Sequence, residues 1–486
     1  MRKILIFASV VVCLLFLTSV ASASWWNVNW KYRREITITN VNGTLTDYQI
    51  LVELNSTNFN FSHAQEDGSD IRFVASDDET LLSHWIEVWN STNQSAKIWV
   101  NVSEITEGAK IFMYYGNENA SDVSDVNATF IRVIDGVVGA WHFDEGNGTI
   151  AHDTSGEEND GVLCDGNTSN NDGDTPPEWI SGKYNKALKY DGNDDYVNVP
   201  NSESLNMTDF TVSLWIKPYN FTNPTTGYKA HWIYKAQYIA VITTSEGHVE
   251  IRTIDNTDTV VVLTSNEAIS LNMWHQITYT VTSTGEIELY IDGELDNTRT
   301  FSPPPLPNNQ KLCIGSAESL DFASYGIIDE VYIWNRSLSG KEITDLYDNY
   351  GYTTPNYPNK VLVRKYTEAE PVAIVGEEVL TILSGVGKLI TIEREIGANY
   401  ILWKWSCTNP NALVDVFVDG SEVLSAASAV SGEYLLTDVN ENELHIIKIA
   451  NSFNASDYVR DEARTLPPFS FFLALLLTTF VLLVIT

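Results

Sequence analysis

Phe210-Thr211-Val212-Ser213-Leu214-Trp215-Ile216 sets an apolar side chain at every second position. That period sends Phe210, Val212, Leu214 and Ile216 to one face of an extended strand, whereas a helix would need apolar residues three and four apart. Tyr48, Ile50, Val52 and Leu54 repeat the pattern, as do Ile98, Val100 and Val102, and Ile111, Met113 and Tyr115. Asp-Gly pairs in Ile291-Asp292-Gly293 and Val418-Asp419-Gly420 supply the hairpin turns such strands need. The spacing predicts an all-β chain of tandem β-sandwich domains. One helix interrupts it, where Ser339-Gly340-Lys341-Glu342 reads as a capping box ahead of an Ile343, Leu346, Tyr347, Tyr350 stripe. Pro355 and Pro358 then mark a Tyr/Thr/Asn/Pro stretch that reads as a linker.

The chain has 486 residues, enough for several domains. Arg2 and Lys3, the apolar run from Ile4 to Leu17 and then Ala21-Ser22-Ala23 have the order of a secretory signal peptide, predicted over 1–23. At the other end, Phe469 to Thr486 carries no charge. As a helix it reaches about 27 Å, which suits a single transmembrane helix over 466–486. Boundaries near 132 and 352 leave external modules over 24–132, 133–352 and 353–465. The expected location is the cell surface, as a single-pass membrane protein with its bulk outside.

The 29 Lys and Arg against 64 Asp and Glu give a net charge of −35, which excludes nucleic acid and anionic lipid as natural partners. Asn-x-Ser/Thr acceptors are dense, including Asn42, Asn55, Asn60, Asn90, Asn93, Asn101, Asn119, Asn127 and Asn147, and in an exported chain they predict a glycosylated exterior. Three cysteines follow the signal; a Cys164–Cys313 disulfide inside the central module is one expectation, with Cys407 left over.

Three groups of residues carry resemblances. Trp30-Lys31-Tyr32-Arg33, Asp67-Gly68-Ser69-Asp70-Ile71-Arg72-Phe73, His84-Trp85-Ile86-Glu87 and Tyr114-Tyr115-Gly116-Asn117 succeed one another in order, and the first module resembles family 2341 among the domains of unknown function. Trp141-His142-Phe143-Asp144, Ala187-Leu188-Lys189-Tyr190-Asp191-Gly192, Trp274-His275 and Gly326-Ile327-Ile328-Asp329-Glu330-Val331 make the central module similar to laminin-G-like domains of the concanavalin-A-like jelly-roll superfamily. That resemblance implies a jelly roll and leaves function open, since the fold serves lectins, adhesins, spacers and glycanases. The third module suggests a small immunoglobulin-like β-sandwich. Pro467-Pro468-Phe469 before an apolar tail looks like the ends of archaeal surface proteins that are cut and re-anchored.

Catalytic chemistry finds little footing in the residues. A glycanase needs two carboxylates flanking the scissile bond; Glu286 and Glu288 come nearest, but Tyr290 interrupts the pattern and no catalytic residue is assigned. The eight histidines show no zinc spacing, and there is no nucleophile elbow or phosphate loop. Structural calcium is the one cofactor expectation. As a strand residue, Asp329 would share a face with the apolar Ile327, Val331 and Ile333, where a carboxylate needs a compensating cation or donor. Asp144 and Asp153 flank the loop after the first strand of the module, and all three are candidate metal ligands. Trp232, beside Lys229 and His231 in an expected loop, is the candidate ligand-binding platform. The expected function is a membrane-anchored glycoprotein that binds glycans or neighbouring envelope proteins through the laminin-G-like module. A structural spacer is the alternative, and an anchored glycanase stands third.

Overall fold

The structure, a computed structural model, describes residues 25–464 apart from 28, 167–175, 303–306, 318, 385–387, 397–399, 408–412, 420, 429–430, 438–443 and 452–453. The expected signal peptide and transmembrane segment lie outside the described residues. Among the described residues no helix is long and apolar enough to cross a membrane.

Strands dominate, and every paired strand is antiparallel. In the first module a three-stranded sheet of Leu45–Asn55, Ser95–Ile105 and His84–Asn90 faces the strands Tyr32–Thr39, Ala109–Tyr115, Arg72–Ala75 and Leu81–Leu82. The alternating residues meet between them, with Ile36, Tyr48, Ile50, Phe73, Ile98 and Met113 in one core. Burying one face of each sheet is what the period of two encodes.

The central module is a jelly roll of two sheets. One runs, in spatial order, through Ile150–Ala151, Gly161–Asp165, Asp195–Val199, Leu312–Ile314, Ala230–Lys235, Ile239–Thr243, His248–Ile254 and Val260–Ala268. The other runs through Glu178–Ser181, Lys186–Asp191, Tyr325–Trp334, Phe210–Pro218, His275–Val281, Glu286–Ile291 and Glu294–Thr300, with Val137–Trp141 also on Tyr325–Trp334. Phe210, Val212, Leu214 and Ile216 point inward against Val241, Ile251, Ile277 and Ile314, as their alternation requires. The predicted helix forms over Gly340–Asp348 with both halves of the capping box made by Ser339 and Glu342. It lies over the outer face of the second sheet, where Ile343 and Leu346 join Tyr290, Tyr332 and Trp334.

Two features depart from the expectation of separate modules on a linker. Lys360–Arg364 pairs with both Arg132–Asp135 and Tyr350–Tyr352, so the proline-bearing stretch between them is fastened at each end. Within it Thr354 Oγ1 donates to Glu87 at 2.6 Å and Asn356 Nδ2 to the same oxygen at 3.1 Å. Further on, Val372–Ser384 pairs along Tyr32–Thr39 and extends the sheet of the first module into the third. Among the described residues, the eight strands from Val372 to Arg464 divide between that shared sheet and a separate four-stranded one.

The expected disulfide is absent. Cys164 pairs across strands with Tyr196, and Cys313 with Asn198, so the Asp195–Val199 strand separates the two. Two inter-strand steps of about 4.8 Å exceed the reach of a disulfide. Reducing agent is therefore expected to leave the melting temperature of the chain unchanged; a reductant-induced drop of several degrees would show a bridge where none is placed.

Candidate ligand-binding face

Trp232 is not a surface platform. In the Ala230–Lys235 strand the register against Ile239–Thr243 slips between His231 and Ile233, so one extra residue is accommodated there. That bulge turns Trp232 inward beside Ile233. Its indole is 0% exposed and its Nε1 donates to Thr243 Oγ1 at 3.1 Å.

The neighbours of Trp232 take the outward face instead. Across the sheet, Asn198, Cys313, Tyr234, Ala240, Arg252 and Val262 stand opposite one another in a single row. His231, Ile242 and Glu250 form part of the next row. Tyr228, in the loop before the strand, is 54% exposed and stacks on Phe322 with centroids 5.4 Å apart and planes at 26°. The His231 ring meets Phe322 edge-on at 4.8 Å and Tyr234 at 5.3 Å, so four rings run from the loop onto the sheet. The loop that carries Tyr228 is held by Asn223 Oδ1, which accepts from Thr225 and Thr226 N–H at 2.8 Å, and by Thr226 Oγ1, which donates to the Asp321 carbonyl at 2.6 Å. The Thr226–Asp321 bond thereby ties together the two segments that carry Tyr228 and Phe322.

Polar groups border the rings. The Glu250 carboxylate lies between the Lys229 ammonium and the Arg252 guanidinium. Burial alone would raise its pKa, but the bonds from Lys229 and Arg252 hold it below the usual range, so it is ionised at neutral pH. Burial depresses His231 to about 4, and its Nδ1 lies 3.0 Å from the Lys229 carbonyl, so the ring is neutral and donates there. Lys311 Nζ sits 5.0 Å over the Tyr196 ring. An exposed ring at Tyr228, backed by Phe322 and beside charged hydrogen-bonding groups, suits ligands with one C–H-rich face and a polar edge.

The three candidate calcium ligands do not converge. Asp153 is used up as a turn-forming carboxylate, with Oδ1 accepting from Ala140 N–H and Ser155 N–H and Oδ2 from Asn159 N–H and Ser155 Oγ. Asp144 accepts from Asn185 Nδ2 and Lys186 N–H, each at 3.0 Å. Asp329 Oδ2 accepts from Lys183 and Tyr184 N–H at 2.8 and 3.1 Å, at the other end of that short loop. Among the described residues no three His, Cys, Asp or Glu side chains gather where a metal could be held. Asp329 also has other face-mates than expected. A bulge at Glu330, which has φ +50°, leaves Asp329 on the outer face opposite Trp215, while Val331 and Ile333 point into the core. Of the glycanase pair, Glu286 is exposed and Glu288 accepts from the Tyr290 hydroxyl at 2.8 Å. The acceptor asparagines Asn42, Asn55, Asn60, Asn93, Asn119, Asn127 and Asn147 are exposed, and Asn90 and Asn101 are half-buried.

Comparison with known proteins agrees with the architecture. Residues 191–344 match the family described as the concanavalin A-like lectin/glucanases superfamily, and residues 67–153 match the domain of unknown function DUF2341. No curated protein matches the chain. Among solved structures, domain 4 of AbnA, a GH43 extracellular arabinanase from Geobacillus stearothermophilus solved in complex with arabinotriose, is 19% identical, covers 44% of this chain and 98% of its own, with a TM-score of 0.36. The receptor binding domain of botulinum neurotoxin D is 16% identical over 70% and 93% of the two chains at a TM-score of 0.35. A heptameric SAP-like pentraxin from Limulus polyphemus is 14% identical over 37% and 94% at 0.26. The central module is thus a concanavalin-A-like jelly roll of the laminin-G type, and the first is of the DUF2341 kind.

Proposed function

We propose that the chain is an exported, membrane-anchored glycoprotein that binds glycans on the outer face of its jelly roll. The observation that carries this is the ring cluster of Tyr228, Phe322, His231 and Tyr234, exposed at its loop end and bordered by Lys229, Glu250 and Arg252. A pyranose presents a C–H face to such rings and hydroxyls to such charges. Export and anchoring rest on the signal-like and apolar ends of the sequence.

Binding of the full chain to a panel of polysaccharides tests the proposal. Tyr228→Ala is expected to cost about 2 kcal/mol of binding, on the order of 30-fold in affinity, as an aromatic anchor does. The exposed position should change stability by no more than about 0.5 kcal/mol. Absence of saturable binding across the panel, or binding untouched by Tyr228→Ala and Phe322→Ala, would sink the glycan reading. It would leave the spacer role, which the sheet shared between the first and third modules favours.

A further inference from the structure

The first module holds a cavity of about 270 Å³ at the edge of its sandwich. Leu81–Leu82 ends the eight-stranded sheet there, and after Ser83 the chain enters the three-stranded sheet at His84–Asn90. Val123, Asp125 and the Val126–Thr129 helix supply another wall. The two walls are tied to each other, since Asp125 N–H donates to the His84 carbonyl at 2.9 Å and Ile86 N–H to Ser124 Oγ at 2.8 Å. Arg72, from the strand paired with Leu81–Leu82, also lines the cavity, and its Nη2 donates to the Ser121 carbonyl at 2.6 Å. The volume falls just short of the roughly 300–1,000 Å³ of sites for drug-sized ligands, which suits a smaller molecule.

Groups of opposite charge meet there beside an apolar rim. Arg72 is 7% exposed, and its hydrogen bonds run to the carbonyls of Ser69, Ile71 and Ser121. Among the described residues no carboxylate bonds it; Asp70 and Asp122 act on it from further off. A buried guanidinium without an ion-pair partner is suited to a carboxylate, which it can grip through two N–H groups. His84 is 2% exposed, and its Nε2 has no partner. Burial, and then the Arg72 charge, hold the ring down at about 4, so it is neutral; its bond to the Leu82 backbone keeps the proton on the other nitrogen and leaves Nε2 an acceptor without a donor. Asp125 supplies the negative charge. Its Oδ1 accepts from Asn127 and Ala128 N–H at 2.8 and 3.1 Å, and neither bond uses Oδ2. Leu81 and Val123, both exposed, form the apolar rim.

A positive group, a negative group and a hydrocarbon wall in one cavity match a zwitterion with an apolar side chain. We propose that this cavity binds a free aliphatic α-amino acid of the leucine class, its carboxylate on Arg72, its ammonium on Asp125 and His84 Nε2, and its side chain between Leu81 and Val123. Such a ligand is neutral overall, so the −35 charge of the chain does not repel it as it would an anion. The site belongs to the first module and stands or falls independently of the glycan face on the jelly roll.

Calorimetric titration of the full chain with L-leucine is the test, beside leucinamide, which lacks the carboxylate, 4-methylpentanoate, which lacks the ammonium, and glycine, which lacks the side chain. Leucine is expected to bind saturably at a single site, and each of the other three about 10-fold or more weaker, the loss of one class of contact. Asp125→Asn keeps an N-cap acceptor for the Val126–Thr129 helix while removing the charge, so it should melt with the wild type. Its affinity for leucine should fall by about 10-fold or more. Should Asp125→Asn fail to fold, Val123→Ser at the exposed rim makes the same comparison. Absence of saturable leucine binding would overturn the site. So would analogues that bind as well as leucine, or an affinity that Asp125→Asn and Val123→Ser leave unchanged.

Discussion

Trp232→Ala is expected to destabilise the jelly roll by about 3–5 kcal/mol, the cost of emptying a fully packed aromatic site. The indole is enclosed by the core, touches the region where Gly326 leaves no room for a side chain and bonds Thr243. At about 2–4 °C per kcal/mol for a domain of this size, the melting temperature should fall by roughly 6 °C or more. Scanning calorimetry of Trp232→Ala beside Tyr228→Ala separates the two roles that the sequence merges. A Trp232 variant that melts with the wild type yet loses glycan would return the platform to Trp232 and refute the bulge.

Glu378→Ala is expected to loosen the seam between the first and third modules by about 3 kcal/mol, near the lower end for breaking a buried charged group's bonds, since His63 retains some contact with water. Glu378 comes from the strand that joins the first module's sheet; it accepts from the Tyr115 hydroxyl at 2.7 Å, lies 3.0 Å from His63 Nδ1 and 3.9 Å from Arg34. Amide exchange along Val372–Ser384 and Tyr32–Thr39 should quicken on the order of 100-fold through local opening, with the jelly roll unchanged. The pH dependence has a definite sign. Burial would raise the Glu378 pKa, but His63, Tyr115 and Arg34 together lower it below its ordinary 4.5. Its stabilisation is therefore complete above that value and is lost as pH falls through the depressed one. Exchange rates at the seam that ignore both the substitution and acid would show that Glu378 does not hold the modules together.

Much of the architecture is legible in the sequence because it depends on local rules. The alternation around Val212 and Leu214 marks a buried strand face, and Ser339 with Glu342 marks a helix start, from residues adjacent along the chain. Asp292 and Gly293 both take positive φ, as an Asp-Gly hairpin demands. The candidate sites fail where one residue shifts the period. The bulge at Glu330 reverses the parity beyond it and gives Asp329 the wrong companions, while the stretch around Trp232, expected as a loop, is the Ala230–Lys235 strand, whose own bulge turns the indole inward. No sequence signal marks either slip. Neither can spacing show that a strand separates Cys164 from Cys313, or that Val372–Ser384 seeks its partner in the first module. Tyr228 and Phe322 escape a sequence reading because their stack joins two loops far apart in the chain.

That long-range partnership bears on how the protein is made. Tyr32 waits for Leu380, about 350 residues further along the chain. At synthesis rates of about 5–20 residues per second, the wait lasts roughly 17–70 s. Throughout it, the edge of the Tyr32–Thr39 strand offers unpaired amides and carbonyls to any neighbouring strand, including the same strand of a second nascent chain. The jelly roll, encoded wholly within the interval, can complete its own core before the sheet closes around its ends. The growing protein therefore has reason to be kept apart from its copies until its third module has emerged.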